Sequence, residues 1–89
     1  MKVKFRKSFE NDIDTIGNRL VLNKILAIIE DVEQCNRLAE VPNIKKMKGA
    51  KNYFIIRTGD YRIGIYLDTD TVEFVRVLSR DKIYKVFPG

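Results

Sequence analysis

Four side chains in the second half of the chain have the types and spacing to hold a phosphate: Arg57, Arg62, Arg80 and Tyr84. Thr58-Gly59-Asp60 reads as a short turn between two strands, so Arg57 and Arg62 face one another across a hairpin. Two guanidinium groups that close repel unless an anion lies between them, and the rigid arginine fork bonds phosphate oxygens in pairs. Tyr84 follows Arg80 by four residues, so a helical turn over Asp81 to Val86 puts both on nearly one face. Plainer readings stand beside these. The arginines are then solvated side chains or partners of Glu73 and Asp60, and Tyr84 packs its ring with Ile83 and Phe87. Spacing alone leaves the choice open, and the solvated arginine is the commoner case.

A basic run, Lys45-Lys46-Met47-Lys48-Gly49-Ala50-Lys51, precedes these residues and holds no carboxylate. Such a run grips a polyanion backbone without reading its sequence, or is simply a solubilising loop. Over 89 residues, 17 Lys and Arg stand against 12 Asp and Glu, a net charge of +5, and the whole excess lies beyond residue 44. That asymmetry points to a polyanion or an acidic partner meeting one face. Tyr53, Phe54 and Tyr66 are candidates to stack on unpaired bases.

Several chemistries drop out. With no histidine in the chain, imidazole-based RNase and Ser/His/Asp hydrolase mechanisms are excluded, and proton transfer falls to Lys, Tyr, Arg or a carboxylate. A single cysteine, Cys35, allows no internal disulfide and, without histidine, no soft-ligand set for zinc, so neither metal nor cofactor is expected. Lys48-Gly49 alone falls far short of a glycine-rich phosphate loop. The apolar stretches are too short to span a bilayer and the opening residues alternate, which predicts a cytoplasmic protein with no membrane partner.

The elements that must position these residues follow from periodicity. Val3 and Phe5 alternate with Lys2, Lys4 and Arg6, a short edge strand. Ser8 reads as the N-cap of a helix carrying Phe9, Ile13 and Ile16, which Gly17-Asn18 interrupts. From Arg19 a second helix sets Val21, Ile25, Ile28, Ile29 and Val32 on one face and ends between Cys35 and Leu38. Three β-rich runs follow: Tyr53 to Arg57, Tyr61 to Leu67, and Val72 to Leu78. Residue parity puts Arg62 on an outward face and is less clean on the last run. The fold class is α+β: an N-terminal strand, a two-helix hairpin and a C-terminal antiparallel meander in one twisted sheet, all in a single domain spanning residues 1–89. A domain this small is marginally stable alone, so a partner is expected.

This order, with Asn43-Ile44-Lys45-Lys46-Met47-Lys48-Gly49, Arg57-Thr58-Gly59-Asp60-Tyr61-Arg62-Ile63 and Val75-Arg76-Val77-Leu78-Ser79-Arg80-Asp81-Lys82-Ile83-Tyr84, resembles the RelE/ParE superfamily of bacterial type II toxins. The resemblance covers nearly the whole chain. It implies a toxin neutralised by a cognate acidic antitoxin and, in the RelE branch, a metal-independent endoribonuclease that cuts mRNA on the ribosome. Arg62 matches the arginine at the scissile phosphate, Arg80 the one that assists the leaving group, and Tyr84 the C-terminal tyrosine of base stacking or proton transfer. Arg57 falls where many relatives have Lys or Arg. Ile55 stands where some relatives have a second basic residue, and Ser79 where histidine is frequent.

On that footing the expected catalytic set is Arg57, Arg62, Arg80 and Tyr84, and the expected RNA-backbone contacts are Lys45, Lys46, Lys48, Lys51 and Arg76. Lys48 or Lys51 is a candidate general base, although a lysine in water is almost wholly protonated at neutral pH. The reaction would be attack of a ribose 2′-hydroxyl on its neighbouring phosphorus, leaving a 2′,3′-cyclic phosphate. Two other readings stay open: a ParE-like toxin that poisons DNA gyrase by binding, and an inactive relative that binds an antitoxin.

Overall fold

The computed structural model describes residues 1–88. Five strands, β1 (Lys2–Phe5), β2 (Ile44–Lys46), β3 (Tyr53–Thr58), β4 (Tyr61–Asp68) and β5 (Thr71–Ser79), form one sheet in the order β1-β5-β4-β3-β2. β1 runs parallel to β5, and the other neighbours are antiparallel. Helices α1 (Lys7–Asp14) and α2 (Arg19–Gln34) cover one face, and α3 (Arg80–Val86) lies on the other. The α+β class inferred from periodicity is the one observed, with β2 as an additional strand.

Alternation builds the two faces. Ile56, Ile63, Ile65, Val72, Phe74 and Val77 point toward the helix pair, where Phe9, Ile16, Ile25 and Val32 meet them. Ile55 and Val75 point the other way and are buried with Ile83 and Phe87. Each such side chain contributes roughly 1.5–3 kcal/mol when fully buried. The second face is therefore partly roofed rather than open.

Asn18, in the interruption between the helices, starts α2: its side-chain oxygen accepts from the backbone N–H groups of Leu20 (2.9 Å) and Val21 (3.2 Å). Ser8 does not cap α1. The helix begins at Lys7 after Arg6, and the Ser8 hydroxyl donates instead to the carbonyl of Val75 (2.6 Å). Periodicity predicts a basic loop where β2 stands. Lys45 and Lys46 carry no alternating apolar signal; the strand exists because Ile44, Lys45 and Lys46 pair with Ile56, Ile55 and Phe54. A lysine-rich edge also discourages pairing with other chains.

The last strand departs from simple parity at a bulge. Ile65 pairs with Phe74 and Gly64 with Arg76, so Val75 has no partner residue. β1 stops opposite Phe74, and beyond it α1 side chains take over the bare strand edge. Ser8 satisfies Val75, and Asp12 accepts from the Val77 N–H (3.0 Å). The same carboxylate receives two bonds from Arg76, Nε to Oδ2 at 2.8 Å and a terminal nitrogen to Oδ1 at 3.0 Å. These bonds raise the Arg76 pKa above its ordinary value. Arg76 was expected among the RNA contacts; the structure instead spends its guanidinium on Asp12, which is only 7% exposed.

Gly64 makes the roof possible. A Cβ there would lie 2.8 Å from three ring carbons of Phe87, so the ring rests directly on bare backbone. The same ring meets Tyr53 edge-on, with centroids 5.5 Å apart.

Two outcomes follow. Asp12→Ala strands the Val77 N–H and the Arg76 charge and should cost about 3 kcal/mol, seen as a lower urea midpoint with an unchanged slope. Gly64→Ala should push Phe87 off the sheet, costing about 1–3 kcal/mol, with faster amide exchange in α3 than in α2.

Candidate functional site

Arg57 and Arg62 are register partners across the β3–β4 hairpin. Because Ile56 and Ile63 point into the helix-side core, the two arginines project to the opposite face, the side that α3 roofs. The turn between them relies on Gly59 at φ +58°, a conformation glycine adopts without steric cost. One terminal nitrogen of Arg62 donates to the carbonyls of Gly59 and Tyr61, each at 2.9 Å. That anchoring fixes the guanidinium plane and leaves its remaining N–H groups directed elsewhere.

α3 delivers the other two residues. Its first N–H, from Arg80, donates to the Asp60 carbonyl at 2.9 Å, stitching the helix to the same turn that holds Arg62. Ile83 and Phe87 are buried against the sheet, whereas Arg80 and Tyr84 are exposed. Lys45, opposite Ile55 in the β2–β3 register, comes from the adjoining edge strand.

These residues line one depression of about 620 Å³. Arg57, Arg62, Arg80 and Tyr84 are all in its wall with Lys45, and Asn43, Ile44 and Asp81 complete it. Four cations thus face one carboxylate. Among the described residues the ion pairs are Arg6–Glu73 at 2.6 Å and Arg76–Asp12 at 2.8 Å, and none of the cleft cations takes part in one. The plainer reading of the arginines as partners of Glu73 fails, since Arg6 holds that glutamate. Like charges placed opposite one another across a hairpin are unfavourable, and an anionic ligand turns that cost into binding.

Tyr84, 58% exposed, separates this cleft from a smaller one of about 220 Å³ lined by Lys45, Lys46, Met47 and Lys48. Three of the four lysines in the basic run therefore gather at the site. Lys51 lies in neither wall, in the turn that leads into β3. The aromatics proposed for base stacking serve the fold instead: Tyr53 and Tyr66 pack on each other at 4.8 Å, and Phe54 packs against the helix-side core. Tyr84 is the ring left free at the cleft.

Sequence reading did not place Asn43, Ile44 or Asp81 here. Asn43, at φ +64°, accepts the Arg57 backbone N–H at 3.1 Å as the chain enters β2, and no local pattern announces that pairing. Asp81 was legible in principle, three residues before Tyr84 on the same predicted helical turn.

Cys35 takes no part. Its thiol is buried, donates to the Val32 carbonyl at 3.2 Å, and has its pKa pushed up by burial, the profile of an inert cysteine. Among the described residues no group of three His, Cys, Asp or Glu side chains is placed to hold a metal ion, and no helix is long and apolar enough to cross a membrane.

Comparison with known proteins agrees with this architecture. Residues 3–84 match the family model of the ParE toxin of the type II toxin-antitoxin system parDE. Toxin RelE3 of Methanocaldococcus jannaschii is 44% identical over 89 residues, covering 99% of this chain and 100% of the relative. The RelB-RelE antitoxin-toxin complex from Methanococcus jannaschii superposes with a TM-score of 0.81 at 42% identity, over 94% of this chain and 98% of the other. The archaeal RelE-RelB complex from Pyrococcus horikoshii shares the fold, with a TM-score of 0.74 at 16% identity over 92% and 97% of the two chains. With strand order, helix placement and an almost full-length relative in accord, the chain belongs to the RelE/ParE superfamily and is a type II toxin of the RelE kind.

Proposed function

We propose that this toxin is an endoribonuclease that cuts mRNA on the ribosome, with the cationic cleft as its active site. The observation that carries the reading is the meeting of Arg57, Arg62, Arg80 and Tyr84, from β3, β4 and α3, in the wall of one cleft whose cations, among the described residues, have no carboxylate partner. Nothing in the packing requires three guanidinium groups there, and a phosphodiester accounts for them.

Arg57 and Arg62 bind the non-bridging oxygens of the scissile phosphate and stabilise the extra charge of the pentavalent transition state. Arg80, fixed at the start of α3, steadies the departing 5′-oxygen. Tyr84 stacks on a neighbouring base, and Lys45, Lys46 and Lys48 hold the flanking backbone. The 2′-hydroxyl attacks in line, yielding a 2′,3′-cyclic phosphate and a 5′-hydroxyl. In-line positioning and charge stabilisation are what such a step needs most from a protein, and rigid side chains on strands and a docked helix supply both.

The same cleft explains an antitoxin. Related RelE structures are complexes with RelB, and an acidic segment laid over this cleft would neutralise its cations and exclude RNA.

The match to the ParE family model favours a second reading, poisoning of DNA gyrase by binding. The two part in one experiment. Added to translating ribosomes, the protein should generate new mRNA 5′ ends at A-site codons, and Arg62→Ala and Arg80→Ala should each reduce cutting by about 10²–10³-fold. Inhibition of supercoiling with no new 5′ ends would instead support the gyrase reading. Affinity for single-stranded RNA should also fall with salt, with a log–log slope of about 0.7 per neutralised phosphate. Lys45→Ala should make that slope shallower, and Arg76→Ala should leave it unchanged.

A further inference from the structure

The cleft walls hold several proton donors and few acceptors. Lysine and arginine offer no lone pair in their charged forms, a phenol such as that of Tyr84 is a very weak base, and an amide such as Asn43 is a negligible one. Asp81 is the one side chain lining the cleft whose ionised form takes up a proton directly. It is exposed, sits one residue after Arg80 and three before Tyr84, and among the described residues its carboxylate has neither an ion-pair nor a hydrogen-bond partner. A carboxylate kept among cations should be clamped by one of them, as Asp12 is by Arg76. Asp81 is left free instead.

From this we infer that Asp81 is the general base of the cleavage, an assignment that rests on the nuclease reading above. Its carboxylate removes the proton of the 2′-hydroxyl. The oxygen's electron pair forms the new bond to phosphorus, the bond from phosphorus to the 5′-oxygen breaks, and its electrons leave on that oxygen beside Arg80. A water molecule protonates the leaving oxygen, and the hydroxide so formed recovers the proton from Asp81. Bonds and charges balance, with no other reactant consumed.

The groups that set the field at Asp81 are Lys45 on β2, Arg57 on β3, Arg62 on β4, and Arg80, Tyr84 and Lys85 on α3 itself. All but the tyrosine are cationic, a setting that holds a substrate phosphate beside the carboxylate. The simpler role for an aspartate in the first turn of a helix is to complement the helix dipole. A dipole partner would affect stability and leave the pH dependence of cleavage alone.

The test compares Asp81→Asn with Arg62→Ala and the unaltered protein, using ribosome-bound mRNA for cleavage and a 2′-deoxy-substituted RNA for binding. In Asp81→Asn, cleavage should fall at least 100-fold, the loss of rate on acidification shown by the unaltered protein should disappear, and the uncleavable RNA should bind as tightly or several-fold tighter, because a negative charge has left the cleft. Cleavage within threefold of normal, or an unchanged pH profile on the residual activity, would overturn the assignment while leaving the nuclease reading intact, provided Arg62→Ala remains inactive. Weaker RNA binding by Asp81→Asn would mark a structural role and overturn it as well. Absence of cleavage by the unaltered protein would remove the nuclease reading and this assignment together.

Discussion

The contact of the Phe87 ring with the bare backbone of Gly64 is the constraint on which the cleft depends. Two of its walls come from the sheet and need only correct strand register. The third comes from α3, a helix of seven residues that is too short to persist on its own. It is held by Ile83 and Phe87 from below and by the bond from the Arg80 N–H to Asp60 at its start. Both ends of α3 are thus fixed, and its polar side has one position relative to Arg57 and Arg62.

Magnitudes show why the fold can hold unpaired cations. A like-charge pair directly opposite on a sheet costs at most about 1 kcal/mol. One fully buried isoleucine offsets that, and Ile56 and Ile63, the immediate neighbours of the arginine pair, are both in the core. Elsewhere charge is treated differently. Arg76 lies on the same sheet but is matched by Asp12, so one strand carries a guanidinium held in an ion pair while, among the described residues, its neighbours carry guanidinium groups that are not.

Much of this was legible in the sequence because it depends on local periodicity. The alternation in Tyr53 to Leu78 defined the meander, Gly17-Asn18 divided the helices, and the length of the Thr58-Gly59-Asp60 turn placed Arg57 opposite Arg62. What was not legible depends on distant partners. Ile44 to Lys46 is a strand because β3 offers it a free edge. That the Arg76 guanidinium is engaged could not be read, because the Val75 bulge has no signature of its own and Asp12, which completes it, is 64 residues away. Tyr53 and Tyr66 had the composition of a stacking platform, but their rings are spent on each other and on Phe87.

The order in which the chain is made gives the position of α3 a further meaning. Synthesis runs from the N-terminus, and the sheet, the helix pair and most of the core belong to residues that emerge first. Arg80, Asp81, Tyr84 and the Phe87 anchor come late. A chain that stops short of them lacks one wall of the cleft, so the last residues made are the ones that complete it.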